Sequence, residues 1–495
     1  MLDDVVREAA RRFGDRPCFV DPSGAALTYA ELDRLSDQLA GGLAMHHGIG
    51  AGSVVCLVLP SGFDYAVAYA ALSKLGALAA GVNPKLSPAE LAAIVEIADP
   101  DLVLGVGGLL DGLDLRRAVI AAPWPRGPTP SPIPPDDDRA AAIVFTSGTT
   151  GLPKGALFLV RQLRAIALAD LGPAVDEWDG GGPMIASTHF AHIGFMTKLP
   201  WYLQHGITTF LVDRWRADDV LDLLARERVT SLGVVAPQLA LMLRSPHLDE
   251  VDVSSVTTII AGGAASPPAL VREAREHFGA AYSIRYSSTE SGGVGLGTAF
   301  DAPDEEALHT IGRPRPGVEI DIRDDDNQPV TPGEVGELVL RSPAMFDRYW
   351  RDPAATAAAV RNGWLHTGDL ARVITEGPAA GCVQLVGRRR EMYVRGGYNV
   401  YPAEVEAVLA DHPAIAEIAV APRADEVMGE VGVAVVVVRN GYAPPSLAEL
   451  RDTASERLAR WKLPEALVII DQLPMTPMQK IDRRALHEII QPADS

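Results

Sequence analysis

Residues Phe145-Thr146-Ser147-Gly148-Thr149-Thr150-Gly151-Leu152-Pro153-Lys154-Gly155 gather three glycines, four hydroxyls and one lysine within eleven positions. Small residues let backbone N–H groups approach a phosphate, hydroxyls add donors, and Lys154 adds a compact positive charge. The commoner nucleotide loop needs glycine directly before its lysine and a hydroxyl directly after; here Pro153 and Gly155 hold those places. Taken alone, the run suits an exposed turn as well as a phosphate grip.

The elements around it are those of a layered α/β domain. Ala140 to Val144 reads as a buried strand leading into the loop. Thr28 stands three residues before Glu31, a capping box that opens a helix running to about Leu43. Apolar strands (Val54 to Leu59, Leu102 to Val106, Ala118 to Ala121) alternate with helices (Asp64 to Leu75, Pro88 to Glu96). Ala122 to Pro135 is proline-rich and reads as an exposed connection. The alternation resumes with helix Ala217 to Arg226, strand Ser231 to Val235, helix Gln238 to Leu243 and strand Thr257 to Ile260. That last strand ends in Gly262-Gly263-Ala264-Ala265, a second place where backbone can approach a ligand. Gly312 to Leu340 carries short strands between Pro, Gly and Asp turns, a β-rich pattern. Val431 to Val438 reads as a buried strand of a separate small unit beyond Gly387-Arg388-Arg389-Arg390-Glu391.

Composition limits the function. With 495 residues, 47% hydrophobic and 22% charged, the chain is long enough for more than one domain and is not a disordered protein. A formal charge of -20 argues against a general nucleic-acid binder or an anionic-membrane protein, so any phosphate is held by a local pocket. Cys18, Cys56 and Cys382 lie far apart and show no metal-ligand spacing, as in a reducing compartment. The longest apolar segment, Tyr65 to Val82, is broken by Ser73, Lys74 and glycines and reads as a packed helix, not a membrane span. No signal-type leader is evident, and the expectation is a cytoplasmic protein, with monomer or homodimer open.

Five stretches in register resemble the adenylate-forming superfamily of acyl-CoA synthetases, luciferases and peptide-synthetase adenylation domains. They are the loop Thr146 to Gly155; Tyr286-Ser287-Ser288-Thr289-Glu290; Gly363-Trp364-Leu365-His366-Thr367-Gly368-Asp369; Gly387 to Glu391 with Gly396-Gly397-Tyr398-Asn399-Val400-Tyr401-Pro402; and Pro474-Met475-Thr476-Pro477-Met478-Gln479-Lys480. The resemblance implies an α/β protein. Residues 1–387 would form a large N-terminal domain of two α/β-layered sheets plus a β-barrel subdomain. Residues 388–495 would form a small mobile α+β C-terminal domain, hinged near Arg390.

It also implies roles. Thr146, Ser147, Gly148, Thr149, Thr150 and Lys154 would hold the β- and γ-phosphates of ATP. Tyr286 would stack on adenine against Gly263 and Ala264, with Thr289 near the α-phosphate and Glu290 a ligand of magnesium (Mg2+). Asp369 would take the ribose hydroxyls, with Arg388 on the same sugar. Lys480 would bridge the acid and the α-phosphate as charge builds. Gly396 and Gly397 would approach the thiol after domain rotation, with Arg395 and Trp461-Lys462 available to CoA. Ser287 and Gln479 stand where the family prefers glycine, and Arg390 where it carries lysine or aspartate.

His189-Phe190-Ala191-His192-Ile193-Gly194-Phe195-Met196 resembles the segment lining the acyl pocket, with His192 at its gate. Amino-acid adenylation domains carry aspartate where Ile193 stands, and a buried ammonium without a carboxylate is costly. The acid implied therefore lacks an α-amino group, and Gly194, Phe195 and Met196 suggest an apolar tail. The leading activity is an acyl-CoA synthetase using ATP, Mg2+ and CoA. The alternative is an enzyme loading the phosphopantetheine of an acyl carrier protein; a luciferase-like oxygenase or a degenerate binding protein stands further off.

Overall fold

The computed structural model describes residues 2–106, 110, 118–120, 123–146, 153–178, 180–186, 188–212, 214–263, 266–396, 398–455, 457–476 and 481–491. Its largest sheet has seven strands in the order Arg348–Tyr349, Lys154–Leu159, Ala140–Thr146, Leu78–Val82, Val54–Val58, Leu102–Gly105 and Ala118–Ile120. The central strands are parallel, and helices cover them, which is why they read as unbroken apolar runs. The helix Phe63–Leu75 is one such cover, with ten of its residues buried. Burying each large apolar side chain contributes roughly 1.5–3 kcal/mol.

The expected helix from Tyr65 to Val82 is in fact this helix and the strand Leu78–Val82. Gly76 divides them by taking φ +67°, a left-handed helix stop open to glycine at little cost. The capping box forms as expected: Thr28 Oγ1 accepts from Glu31 N–H at 3.1 Å, and Glu31 accepts from Thr28 N–H at 3.0 Å. Its helix runs Tyr29–His47. The proline-rich connection is less free than its composition suggests, because Gly41 and Gly42 of this helix let the backbone of Pro125 to Pro128 sit directly against it.

A second sheet runs Ser231–Val234, Thr258–Gly262, Ala281–Tyr286, Leu296–Gly297 and Arg313–Pro314, its first three strands parallel. A four-stranded sheet joins Ala26–Thr28, Pro17–Val20, Thr208–Phe210 and Pro183–Ile185. Between these and the C-terminal part lies an antiparallel sheet of Glu319–Arg323, Gly336–Arg341, Trp364–Val373 and Val360–Arg361, with Val383–Arg388 also on Trp364–Val373. The resemblance implied two sheets and a barrel. The described strands instead make four sheets before Tyr393, and no pairing closes any of them into a barrel. In the antiparallel sheet the edge strand Glu319–Arg323 pairs only with Gly336–Arg341, and Val360–Arg361 is two residues long.

The fifth sheet is drawn from the C-terminal part alone: Tyr398–Val400, Tyr393–Arg395, Gly429–Val438 and Ile415–Asp425, with Ala466–Ile470 parallel to Gly429–Val438. Helices Pro402–Leu409 and Leu447–Ser455 bury Val405, Leu409 and Leu450 on one side. The helix Arg483–Ile490 buries Leu486 and Ile490 on the other, giving a small α+β domain with its own core.

Candidate active site

Tyr286 ends one strand of the second sheet, and Asp369 and Arg388 are register partners in the antiparallel sheet. The three side chains meet: Tyr286 O–H donates to Asp369 Oδ2 at 2.5 Å, and Arg388 Nε reaches Asp369 Oδ1 at 3.0 Å. Burial, followed by the Asp369 charge, pushes the Tyr286 phenol well above its ordinary value, so it remains a donor. The register Gly262 to Arg285 brings the end of that strand to the residue before Tyr286, and Gly263 follows it with φ +76°.

The turn that presents Asp369 is braced from below. Glu337 accepts from Gly368 N–H at 3.0 Å and pairs with His366 Nδ1 at 2.9 Å, while Thr367 Oγ1 donates to Leu338 C=O at 2.6 Å. Sequence reasoning passed over Glu337, although a buried carboxylate inside the apolar strand Gly336–Arg341 was a readable signal.

Thr146 closes one strand and Lys154 opens the next, and the two are register partners of antiparallel strands. Ser147, Gly148, Thr149 and Thr150 lie outside the described residues, as do Ala264, Gly397 and Lys480. Lys154 Nζ stands 5.2 Å above the Tyr349 ring, and Tyr349 O–H donates to Glu290 Oε1 at 2.7 Å. Phe346 N–H donates to the Glu290 carbonyl at 2.9 Å, fixing the same loop by its backbone. Tyr349 thus ties Lys154 to Glu290. It was missed because it lies 59 residues from Glu290, in a two-residue strand with no periodic signal. Tyr349 takes one oxygen of Glu290. A lone carboxylate so placed fits a magnesium ion whose other ligands are phosphate oxygens and water.

His192 caps the short helix Ile193–Met196, and its Nε2 lies 3.2 Å from Asn83 Nδ2. His189 Nδ1 accepts from Ala191 N–H at 3.1 Å, which places the ring proton of neutral His189 on Nε2. Burial, then His192 and Lys85, push the His189 imidazolium down to about 3. Phe195 and Met196 do not speak for the acid. Both are buried in the core, with Phe195 stacked on Phe190 at 3.5 Å between ring centres. Thr289 lies in the turn before Gly292, whose N–H donates to its carbonyl at 3.0 Å.

The C-terminal motif residues split between two places. Arg389 N–H donates to Gly368 C=O at 2.9 Å, and its guanidinium pairs with Asp325 at 2.5 Å, so this arginine stays on the antiparallel sheet. Arg390 follows, exposed beside Arg388, and partial desolvation followed by that like charge lowers its pKa. Arg395 pairs with Glu465 and lines an open cleft with Met428, Leu447, Arg451, Arg460 and Trp461. Tyr398 stacks on Trp461 at 4.7 Å and 21°. Arg395 therefore belongs to this cleft and not, in this arrangement, to the corner at Asp369, and Gly396 adjoins the cleft by donating its N–H to Met428 C=O at 2.8 Å. Met475 bridges Ile481, closing the loop that carries Lys480.

A tyrosine–carboxylate–arginine corner, a glycine-rich strand end and a lysine that opens a strand after Thr146 lie on an α/β framework. The comparisons give its family. Residues 6–350 match the AMP-binding enzyme family and residues 404–480 the AMP-binding enzyme C-terminal domain. The medium/long-chain fatty-acid–CoA ligase of Mycobacterium tuberculosis is 30% identical over 92% of this chain and 84% of its own. The fatty acid–[acyl-carrier-protein] ligase of Streptomyces coeruleorubidus is 30% identical over 94% and 92%. Among solved structures, the amide bond synthetase of Marinactinospora thermotolerans superposes with a TM-score of 0.87 at 27% identity, covering 99% of this chain and 100% of that one. The chain belongs to the AMP-binding enzymes, on their acyl-CoA synthetase branch. No described helix is long and apolar enough to cross a membrane.

Proposed function

We propose that this chain joins a carboxylic acid lacking an α-amino group to the α-phosphate of ATP, releasing pyrophosphate, and then passes the acyl group to the thiol of CoA. In the first step a carboxylate oxygen bonds to the α-phosphorus as pyrophosphate leaves. In the second the thiol sulfur bonds to the acyl carbon and AMP leaves. The observation that carries the reading is the meeting of Tyr286, Asp369 and Arg388 from three strands of two sheets. Asp369 takes the ribose hydroxyls in place of the Tyr286 phenol, freeing that ring to lie against adenine beside Gly263.

Thr146, Ser147, Gly148, Thr149, Thr150 and Lys154 surround the departing pyrophosphate, and Thr289 stands at the α-phosphate. Glu290, oriented by Tyr349, would hold Mg2+, which supplies charge neutralisation on the phosphates. Lys480 bridges the attacking carboxylate and the α-phosphate, where negative charge accumulates. His192 gates the acid. Residues 388–495 act as the moving domain, with the pivot at Arg390, because Arg388 and Arg389 are both tied to the larger part.

The arginine-lined cleft at Trp461 favours CoA as acceptor, since it offers cations for phosphates and a stacked indole face for adenine. A carrier protein is the second reading, supported by the carrier-protein ligase among the relatives. The test is AMP release over a panel of short, medium, long and aromatic acids, with CoA, pantetheine or loaded carrier protein as thiol. CoA-dependent turnover that Arg451→Ala and Trp461→Ala weaken, with pantetheine turnover spared, is expected. Turnover with carrier protein alone would overturn the CoA reading, and no ATP–pyrophosphate exchange with any acid would overturn the ligase.

A further inference from the structure

Lys198 lies on the acyl side of the site and serves no part of the nucleotide chemistry. Its Nζ is 2.6 Å from Asp170 Oδ2, while Arg315 Nη1 is 3.0 Å from Asp170 Oδ1 and Arg315 Nη2 donates to Ala169 C=O at 2.7 Å. Arg285 lies beside them, donating to Thr298 C=O at 3.1 Å under the Phe300 ring. Its guanidinium is pushed down to about 10 by burial and then by the charge of Arg315. Among the described residues, Asp170 pairs with two of these cations, Lys198 and Arg315, and Arg285 adds a third positive charge beside them.

Other buried cations of this chain are balanced differently. Lys74, fully enclosed, has both Asp33 and Asp37; Arg483 has both Glu406 and Glu391. That is the ordinary arrangement, because a desolvated charge without a partner is costly. Lys198, Arg315 and Arg285 depart from it in a protein whose formal charge is -20. Their position is specific. Lys198 Cε lies 3.8 Å, and Ile193 Cγ1 3.5 Å, from where a Cβ on Gly293 would stand. Gly293 is three residues beyond Glu290, and Ile193 follows His192. Tyr202, on the same helical stretch as Lys198, donates its O–H to Gly194 C=O at 2.9 Å. The cluster thus borders the acyl segment beyond the histidine gate, and Lys198 keeps N–H donors that Asp170 does not use.

We propose that Lys198, with Arg315 and Arg285 behind it, receives a second anionic group, in the simplest case a carboxylate, at the end of the acid remote from the carboxyl that is adenylated. The inference rests on reading His192 to Met196 as the acyl segment of a ligase. A rival account makes the cluster a strut between the helix Val160–Leu171 and the loop carrying Thr289 and Glu290, and this account affects all acids alike.

The experiment compares acids of equal length with and without the second carboxylate: adipate against hexanoate and suberate against octanoate, with ATP, Mg2+ and CoA at fixed ionic strength. The expected result is at least a tenfold higher kcat/KM for one or both diacids in the natural protein. In Lys198→Met and Arg285→Leu that ratio collapses at least tenfold through KM, with thermal midpoints near that of the natural protein. Efficient turnover of monoacids with rejection of both diacids overturns the inference and leaves the ligase standing. Equal losses for mono- and diacids in both variants overturn it in favour of the strut. Failure of every acid, including aromatic ones, overturns the ligase reading and the inference with it.

Discussion

The nucleotide corner and the acyl segment are built on opposite plans. At the corner, each carboxylate is held by a residue from another part of the chain: Asp369 by Tyr286 and Arg388, Glu290 by Tyr349, Glu337 by His366. Along the acyl segment polar groups are left less committed. Tyr65 O–H is buried without a hydrogen-bond partner among the described residues, His189 is kept neutral, and Lys198 and Arg315 share Asp170 beside a third cation, Arg285. A ligand that never changes rewards groups locked in advance. An acid that differs from relative to relative is met by groups whose partners arrive with it.

The contrast can be broken most directly at the nucleotide side. Lys480→Ala should lower adenylation by several orders of magnitude while leaving thioester formation from supplied acyl-adenylate much less affected; equal loss in both half-reactions would remove the role assigned to it. Asp369→Ala should reduce kcat/KM for ATP by on the order of 100-fold, since two hydrogen bonds to a charged group are lost. Acid discrimination should be untouched, and a changed acid preference would mean that the two regions are not separable.

Tyr349→Phe removes one hydrogen bond to Glu290 and should cost about tenfold in adenylation. A titration of activity against free Mg2+ should move to higher concentration in that variant, and an unmoved curve would detach Tyr349 from the metal. The smallest effect belongs to His189, and it appears in stability. An imidazole held at about 3 when folded and near 6.5 when unfolded binds its proton only in the unfolded chain between those values, so stability falls as pH drops below about 6.5. His189→Leu should therefore lessen acid sensitivity by about 1–2 kcal/mol at pH 5, read from urea midpoints at pH 7 and pH 5. Parallel shifts at both pH values would show that the ring is not the titrating group.

The same contrast decides what could be read from residues alone. Tyr286, Asp369, Arg388 and Lys154 sit in short motifs whose spacing reflects one chemistry, and the structure brings the first three into contact. Most helices and strands were legible because their apolar periods are strong. The helix Asp64 to Leu75 was legible, but the strand Leu78–Val82 after it was hidden, because a helix buried on all sides and a parallel strand buried on both faces give the same unbroken apolar run. Tyr349 and the Lys198 cluster were hidden for a different reason: their partners are tens of residues away, and only the packing of separate sheets brings them together. Phe195 and Met196 misled in the other direction, since apolar residues beside a gate can serve the core as well as a ligand.

Asp369 and Arg388 are neighbours across a sheet, yet one is the proposed sugar acceptor and the other begins the turn that leads to the C-terminal part. On the proposed reading, the grip is therefore two residues from the pivot at Arg390, joined to it through the Asp369–Arg388 ion pair. If Asp369 takes the ribose, a nucleotide that draws on it would loosen or tighten Arg388, and by reciprocity a swing that pulls on Arg388 would change how firmly AMP is held. Release of the last product and return of the domain would then be two readings of one equilibrium, with a coupling measurable as the difference in AMP affinity between the two orientations.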